Sequence, residues 1–270
     1  SYHDMAAHYF FDKEDIELIC CSTFEEVFAT VKDDSTVLGM AAIENTIAGS
    51  LLHNYELLCD SGLTIVGEHK LRISHSLLCL PDDNIEDITE VHSHPVALMQ
   101  CREFLARHPR LKVVEGEDTA GSAEIISREQ LRGQAAICSK FAAPLYGMKV
   151  LEEGIETNKH NFTRFLLLAD RSCAAGFTDP ARTNKASLVF SLPHTQGSLS
   201  KVLTLLSFYE INLSKIQSLP IIGREWEYRF YVDVTFDDPV RYRQAIDAAR
   251  PLTSDFRILG EYAECPNPVI

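Results

Sequence analysis

The sequence has no uninterrupted apolar run approaching the roughly 18 residues a membrane helix requires, so no transmembrane helix is expected. Its first residues, "SYHDMAAHYF", lack the layout of a secretory signal. It has no C-x-x-C pair, and of its eight scattered cysteines only Cys20 and Cys21 stand close together, which removes zinc and dithiol chemistry. These absences predict a cytoplasmic protein whose cysteines are mostly buried small hydrophobes. The sequon at Asn161-Phe162-Thr163 is then without meaning. Basic residues are scarce: 25 Lys and Arg face 39 Asp and Glu, a formal charge of -14, so neither nucleic acid nor an anionic membrane surface is an expected partner. An anionic ligand would have to be attracted locally. No Gly-rich phosphate loop of standard spacing supports nucleotide binding, and no local Ser-His-Asp or Cys-His signature is present. His92 and His94 could share a metal on a strand, but no third ligand stands at suitable spacing, so no metal is expected.

What is present is an ordinary globular composition, 46% hydrophobic and 24% charged, over 270 residues, enough for two modest domains. "VLGMAAI" reads as a buried strand that breaks at Glu44-Asn45-Thr46 into the helical "SLLHNYELL". The same plan recurs at "ITEVHSHPVALMQCREFLARH", where Pro95 suits a first helical position, and at "LKVVEGEDTAGSAEIISREQL", where Asp118 or Thr119 can cap the helix. Such repetition predicts an α/β architecture with mostly parallel strands. A polar linker, "ADRSCAAGFTDPARTNKAS", precedes a change of pattern. "ASLVFSL", a helix with Leu199, Val202, Leu203 and Leu206 on one face, "INLSKIQSL", "EYRFYVDVTF", "PVRYRQAIDAAR" and "FRILGEYAE" make β-α-β-β-α-β, the ferredoxin-like order.

In an open α/β sheet, ligands gather where strands end and helix N-termini present free N–H groups. The candidate turns are Glu44-Asn45-Thr46 with Gly49-Ser50, Ser93-His94, and Asp118-Thr119-Ala120. Each also reads as a simple helix cap. "NKHNFTRFLLL" poses a related choice. Alternation puts Asn161, Thr163 and Phe165 on one face and Phe162, Arg164 and Leu166 on the other, so the polar start is either a sheet rim or a site.

"AAIENTIAGSLLHNYELL", "VHSHPVALMQCREFL", "EDTAGSAEIIS" and "AAICSKFAAPLYGMKVLEEGIETNKHNFTRFLLL", followed by β-α-β-β-α-β, resemble prephenate dehydratase with a regulatory ACT domain, in the family's order over nearly the whole chain. The resemblance implies decarboxylation and dehydration of prephenate to phenylpyruvate without cofactor. It implies a two-lobed catalytic region of the periplasmic-binding-protein type over 1–170, with lobe one about 1–70 and 160–170 and lobe two about 71–159. A linker over 171–185 and an ACT domain over 186–270 would follow. The chain would cross between lobes near "GEHKLRISHSLL" and return near Glu156 to Phe165.

By resemblance Thr163 donates to the leaving hydroxyl and Arg164 holds a carboxylate. Asn45, Thr46, Ser50, Thr119, Ala120, Asn161, Phe165 and Ser1 become substrate-binding candidates, Phe165 by packing beneath the site, and Glu44 is either a proton donor or structural, the structural role being preferred because a carboxylate beside a dianion is unfavourable. L-phenylalanine would bind at the seam of a homodimer or homotetramer through Thr195, Gly197, Ser198 and Leu199 and through Gln217, Ser218, Leu219 and Pro220. The sequence departs from the family at Ser198, Gln217 and Leu219, which bears on effector contacts, and Thr46 stands where Ser is commoner. The family's opening strand and Gly-rich turn, ahead of the serine matching Ser1, are not in this sequence. Arogenate dehydratase and a non-catalytic two-lobed carboxylate-binding module are the alternatives.

Overall fold

The computed structural model describes residues 1–11, 15–221, 223–224 and 227–266, so the end of the 186–270 segment lies outside the described residues. Helices α1 (Tyr2–Phe11) and α2 (Phe24–Asp33) lead into β1 (Gly39–Asn45), the two-residue β2 (Gly49–Ser50), α3 (Leu52–Ser61) and β3 (Thr64–Arg72). The Thr23 hydroxyl starts α2 by accepting from the Glu26 N–H at 3.2 Å, satisfying one of the donors every helix start leaves open. The chain then passes to β4 (Ser76–Cys79), β5 (Glu90–Ser93), α4 (Pro95–Gln100), α5 (Arg102–Arg107), β6 (Lys112–Glu115), α6 (Thr119–Glu129), β7 (Gln134–Cys138), α7 (Ala142–Tyr146) and β8 (Lys149–Glu153). It returns through β9 (Phe162–Ala169). The last unit is β10 (Lys185–Leu192), α8 (Ser198–Phe208), β11 (Asn212–Pro220), β12 (Tyr228–Thr235), α9 (Pro239–Ala249) and β13 (Ser254–Tyr262).

Lobe two is a five-stranded sheet in the order β6-β5-β7-β4-β8. Strands β6, β5 and β7 are parallel, as their crossover helices require. The expectation of mostly parallel strands fails elsewhere. In lobe one, β1 and β3 each pair with β9 instead of with one another, and β9 arrives from the other lobe in the opposite direction, so both ladders are antiparallel.

The C-terminal unit has strand order β11-β12-β10-β13, antiparallel throughout, as the β-α-β-β-α-β pattern predicts. It continues the sheet of lobe one, because β13 lies parallel beside β3 at Gly260 and Ile65, giving eight strands in all. A Cβ at position 260 would sit 2.2 Å from the Ile65 carbonyl oxygen, so only glycine allows this approach. The two units also share one core. Ile43, Leu58, Ile65 and Leu166 from lobe one pack with Val189, Leu219, Tyr231, Leu259 and Tyr262. The other face of the C-terminal sheet holds Leu188, Phe190, Val232 and Val234 against α8 and α9.

Two crossing segments join the lobes and are tied to each other. The Ile73 N–H donates to the Asn161 carbonyl at 2.7 Å, the His75 N–H donates to Glu156 Oε2 at 2.9 Å, and the Ile155 N–H donates to the His75 carbonyl at 2.9 Å. Of the cysteines, Cys59, Cys79, Cys101 and Cys138 are buried, half of the eight instead of most. Burial pushes the Cys101 and Cys138 thiols up to about 12, so they are unreactive.

Candidate functional site: a ring of amides around Thr163

Asn45 and Thr163 are partners in the β1–β9 ladder, so their side chains emerge together on one face. Asn45 ends its strand in a turn, and its Oδ1 accepts from the N–H groups of Ile47 at 2.9 Å and Ala48 at 2.8 Å. Those bonds fix which way the amide points. Its Nδ2 therefore faces the ladder and donates to Asn161 Oδ1 at 2.8 Å and Thr163 Oγ1 at 3.0 Å. Asn161 passes the pattern on, donating to Gln100 Oε1 at 3.0 Å, and Gln100 Nε2 donates back to Asn45 Oδ1 at 3.3 Å. Three amides thus close a ring, with two members on lobe one and one at the end of α4 on lobe two.

The ring is anchored further out. His75 Nε2 stands 2.8 Å from Gln100 Oε1, and the single proton of the Tyr2 hydroxyl lies between two acceptors, the Ser74 carbonyl at 2.8 Å and His75 Nδ1 at 3.0 Å. Since Gln100 Oε1 can only accept, the His75 Nε2 carries the proton. Burial holds the His75 pKa below its ordinary value, against the pull of Gln100 and Glu156, which keeps the ring neutral. The consequence for Thr163 is specific. Its oxygen receives a hydrogen bond from Asn45, so its own proton is left to be donated elsewhere.

The other sequence candidates fall into separate groups. Thr46 adjoins the ring, but its hydroxyl donates to the His160 carbonyl at 3.0 Å and accepts from the Phe162 N–H at 3.0 Å, clamping the mouth of β9. Phe165 is buried beneath, with Ala6, Ala42, Leu71 and Ile73, in edge contact with His3 at 4.9 Å. Ser1 Oγ accepts from the Asp4 N–H at 3.2 Å at the start of α1. Thr119 and Ala120 open α6, whose cap is Asp118, accepting from the Gly121 N–H at 2.8 Å. This start lies beside the end of β5, where the Gly116 N–H donates to the Ser93 carbonyl at 2.8 Å, and among the described residues no side-chain hydrogen bond joins Thr119 or Ala120 to the ring.

Arg164 and Ser50 require correction. Both lie on the opposite face of the sheet from Thr163. Arg164 Nε is 2.6 Å from Glu68 Oε2, its Nη2 donates to the Tyr262 hydroxyl at 2.9 Å, and its Nη1 is paired with Asp233. A buried guanidinium with every edge engaged by side chains of β3, β12 and β13 has no fork left for a substrate carboxylate. Ser50 Oγ accepts from Lys215 Nζ at 3.0 Å, and the same ammonium is 2.9 Å from Glu44 Oε1, which supports the structural role given to Glu44.

The effector candidates also separate. Gly197 adopts φ +77° before α8, and Ser198 Oγ donates to the Pro193 and Thr195 carbonyls at 2.9 Å and 3.0 Å. On the edge strand β11, Ser218 pairs with Phe230, which packs with Leu199 in the core beneath α8 and α9, while Gln217 pairs with Tyr231 of the core shared with lobe one. Pro220 pairs with Tyr228. Leu219 is buried in the core shared with lobe one and is not free for a ligand. Regarding metal, His92 lies 3.4 Å from Glu90 and His94 accepts from the Val96 N–H at 3.2 Å. Among the described residues no three His, Cys, Asp or Glu side chains are grouped to hold an ion, and no helix is long and apolar enough to cross a membrane.

The prephenate dehydratase family model matches residues 1–173, and the chain belongs to that family. Arogenate dehydratase 1 of Petunia hybrida is 38% identical over 264 residues, covering 91% of this chain and 61% of the petunia protein. The chain spans about three fifths of the length of several curated relatives it matches. Among solved structures, one described as GqqA, a novel type of quorum-quenching acylase, is 30% identical with a TM-score of 0.87, covering 98% of this chain and 95% of that one. The Arthrobacter aurescens prephenate dehydratase in complex with L-Phe is 26% identical with a TM-score of 0.86, covering 98% of this chain and 87% of that one.

Proposed function

We propose that this chain converts prephenate to phenylpyruvate, with Thr163 as the hydrogen-bond donor to the departing hydroxyl. The observation that carries this is the bond from Asn45 Nδ2 to Thr163 Oγ1 at 3.0 Å, inside a neutral ring of amides. In the reaction the bond between the ring and its carboxylate breaks, releasing carbon dioxide. The electron pair completes the aromatic ring, the ring C–O bond breaks, and the departing hydroxide leaves as water with a proton drawn from solvent. Negative charge grows on that oxygen in the transition state. A positioned hydroxyl donor is worth most at that moment. With Arg164 turned away, the carboxylates are left to the cleft-side amides and to the first turn of α6 at Thr119 and Ala120.

The likeness to GqqA raises acyl transfer as another class. An acyl-transfer nucleophile needs a base beside it, and the hydrogen-bond partner of the Thr163 hydroxyl is the Asn45 amide, which favours the lyase. A second reading, dehydration of arogenate, is favoured by the petunia relative. Residues 1–170 would be the catalytic unit and 186–270 an ACT domain that binds L-phenylalanine at the seam of a homodimer or homotetramer, in the cytoplasm. The Arthrobacter aurescens complex with L-Phe supports the effector. The test is incubation with prephenate, following phenylpyruvate absorbance, with arogenate in parallel and L-phenylalanine titrated by calorimetry. Consumption of neither substrate above its spontaneous rate would sink the catalytic reading, and no heat at millimolar L-phenylalanine would sink the regulatory one.

A further inference from the structure

The rung next to Asn45–Thr163 in the β1–β9 ladder is Glu44–Arg164, which points to the opposite face by strand alternation. The C-terminal sheet presents a matching rung there, since Lys215 of β11 and Asp233 of β12 are ladder partners. The charges are complementary across the interface. Lys215 meets Glu44 at 2.9 Å and Ser50 at 3.0 Å, while Asp233 meets Arg164. Asp233 is also held by the Ser187 hydroxyl at 2.6 Å, and Arg164 by Glu68, which Lys185 grips at 2.9 Å.

We infer that Lys215 and Asp233 are positioning residues for the Asn45–Thr163 pair. The inference rests on Thr163 being the donor. The backbone between Glu44 and Asn45, and between Thr163 and Arg164, is one peptide unit long, so a side chain clamped on one face fixes where its neighbour emerges on the other. A shift of about 1 Å at a reacting group is enough to cost roughly a hundredfold in rate. Removing one partner would also leave a charge partly buried without compensation, which drives the rung to rearrange. The C-terminal unit is thereby part of the geometry of the catalytic centre without touching substrate.

The experiment uses the full chain with Lys215→Met, Lys215→Arg, Asp233→Asn and, as a control, Arg229→Ala, which loosens a separate contact between the units, 3.9 Å from Asp60. Two readouts are taken: steady-state kinetics with prephenate and arogenate, and amide hydrogen exchange at Ile47 and Ala48, whose N–H groups are held by Asn45. Lys215→Met and Asp233→Asn are expected to lower kcat by about tenfold or more with KM within about twofold, Lys215→Arg to recover most of it, and Arg229→Ala to leave it unchanged. Exchange at Ile47 and Ala48 should accelerate in Lys215→Met and not in Arg229→Ala. Wild-type exchange at these amides in Lys215→Met would overturn the positioning role, as would wild-type kcat in an active enzyme. A wild type inert toward both substrates would overturn the proposed reaction, while the exchange data would still decide the role of Lys215.

Discussion

Gln100 of lobe two donates to Asn45 of lobe one at 3.3 Å while accepting from Asn161 at 3.0 Å, so the ring that orients Thr163 is complete only when the lobes meet. Gln100→Ala should lower kcat by about ten- to a hundredfold, because a misplaced hydroxyl loses catalysis before it loses binding. Gln100→Glu keeps both acceptor bonds but loses the donor and adds charge beside a dianion, so it should raise KM as well. Steady-state kinetics on both variants separates the two patterns, and a wild-type kcat in Gln100→Ala would contradict the role of the ring in orienting Thr163.

Thr163→Ala should reduce kcat by roughly a hundred- to a thousandfold, the usual cost of one lost donor at a developing oxyanion, with little change in KM. Thr163→Ser should retain most activity, because the Asn45 bond needs only the hydroxyl oxygen. The comparison is kcat for the three enzymes on one substrate.

For Arg164 the location changes the expected defect. Burial works against its charge, but Tyr262, Asp233 and Glu68 outweigh this and raise its pKa well above the ordinary value. In turn Asp233 and Glu68 are held below the ordinary carboxylate range by Arg164 and Lys185 despite burial. Arg164→Ala leaves the buried Asp233 carboxylate without its ion-pair partner and takes one of two cations from Glu68, which Lys185 still holds at 2.9 Å, and should cost about 3–5 kcal/mol of stability. Thermal unfolding should show the loss. A variant of wild-type stability with only a raised KM would restore the substrate-clamp assignment.

His3 supplies a pH signature. Burial lowers its pKa to about 4 from an ordinary value of 6.5. The unfolded chain takes up this proton first, so stability is complete above pH 6.5 and declines as pH falls toward 4. The shift corresponds to roughly 3 kcal/mol. Urea unfolding at pH 7.5, 6 and 5 should show a steeper decline for wild type than for His3→Gln, and parallel curves would contradict the burial of a neutral imidazole.

The strand–turn–helix plan was legible because apolar runs, caps and Pro95 mark those boundaries in one dimension. So was the face shared by Asn161 and Thr163, since alternation needs no structure. Gln100 was not, because inside "VALMQCREF" an amide reads as an ordinary helix residue and nothing local links it to positions 45 and 161. Arg164 shows the limit most clearly. Alternation already placed it opposite Thr163, but what covered that face was the C-terminal part of the same eight-stranded sheet, contributed by residues 69 and 98 positions further along.

The junction at Gly260 makes the ferredoxin-like unit a poor candidate for exchange between proteins. A shortened chain ending at Ala169 would give β3 an open edge and expose Ile43, Leu58, Ile65 and Leu166 to water, a template for sticking to its own copies. A foreign unit of the same topology grafted in its place would need a glycine at this one rung and a countercharge for Arg164. The boundary between the two units is thus a line in sequence but not a seam along which the molecule can be cut.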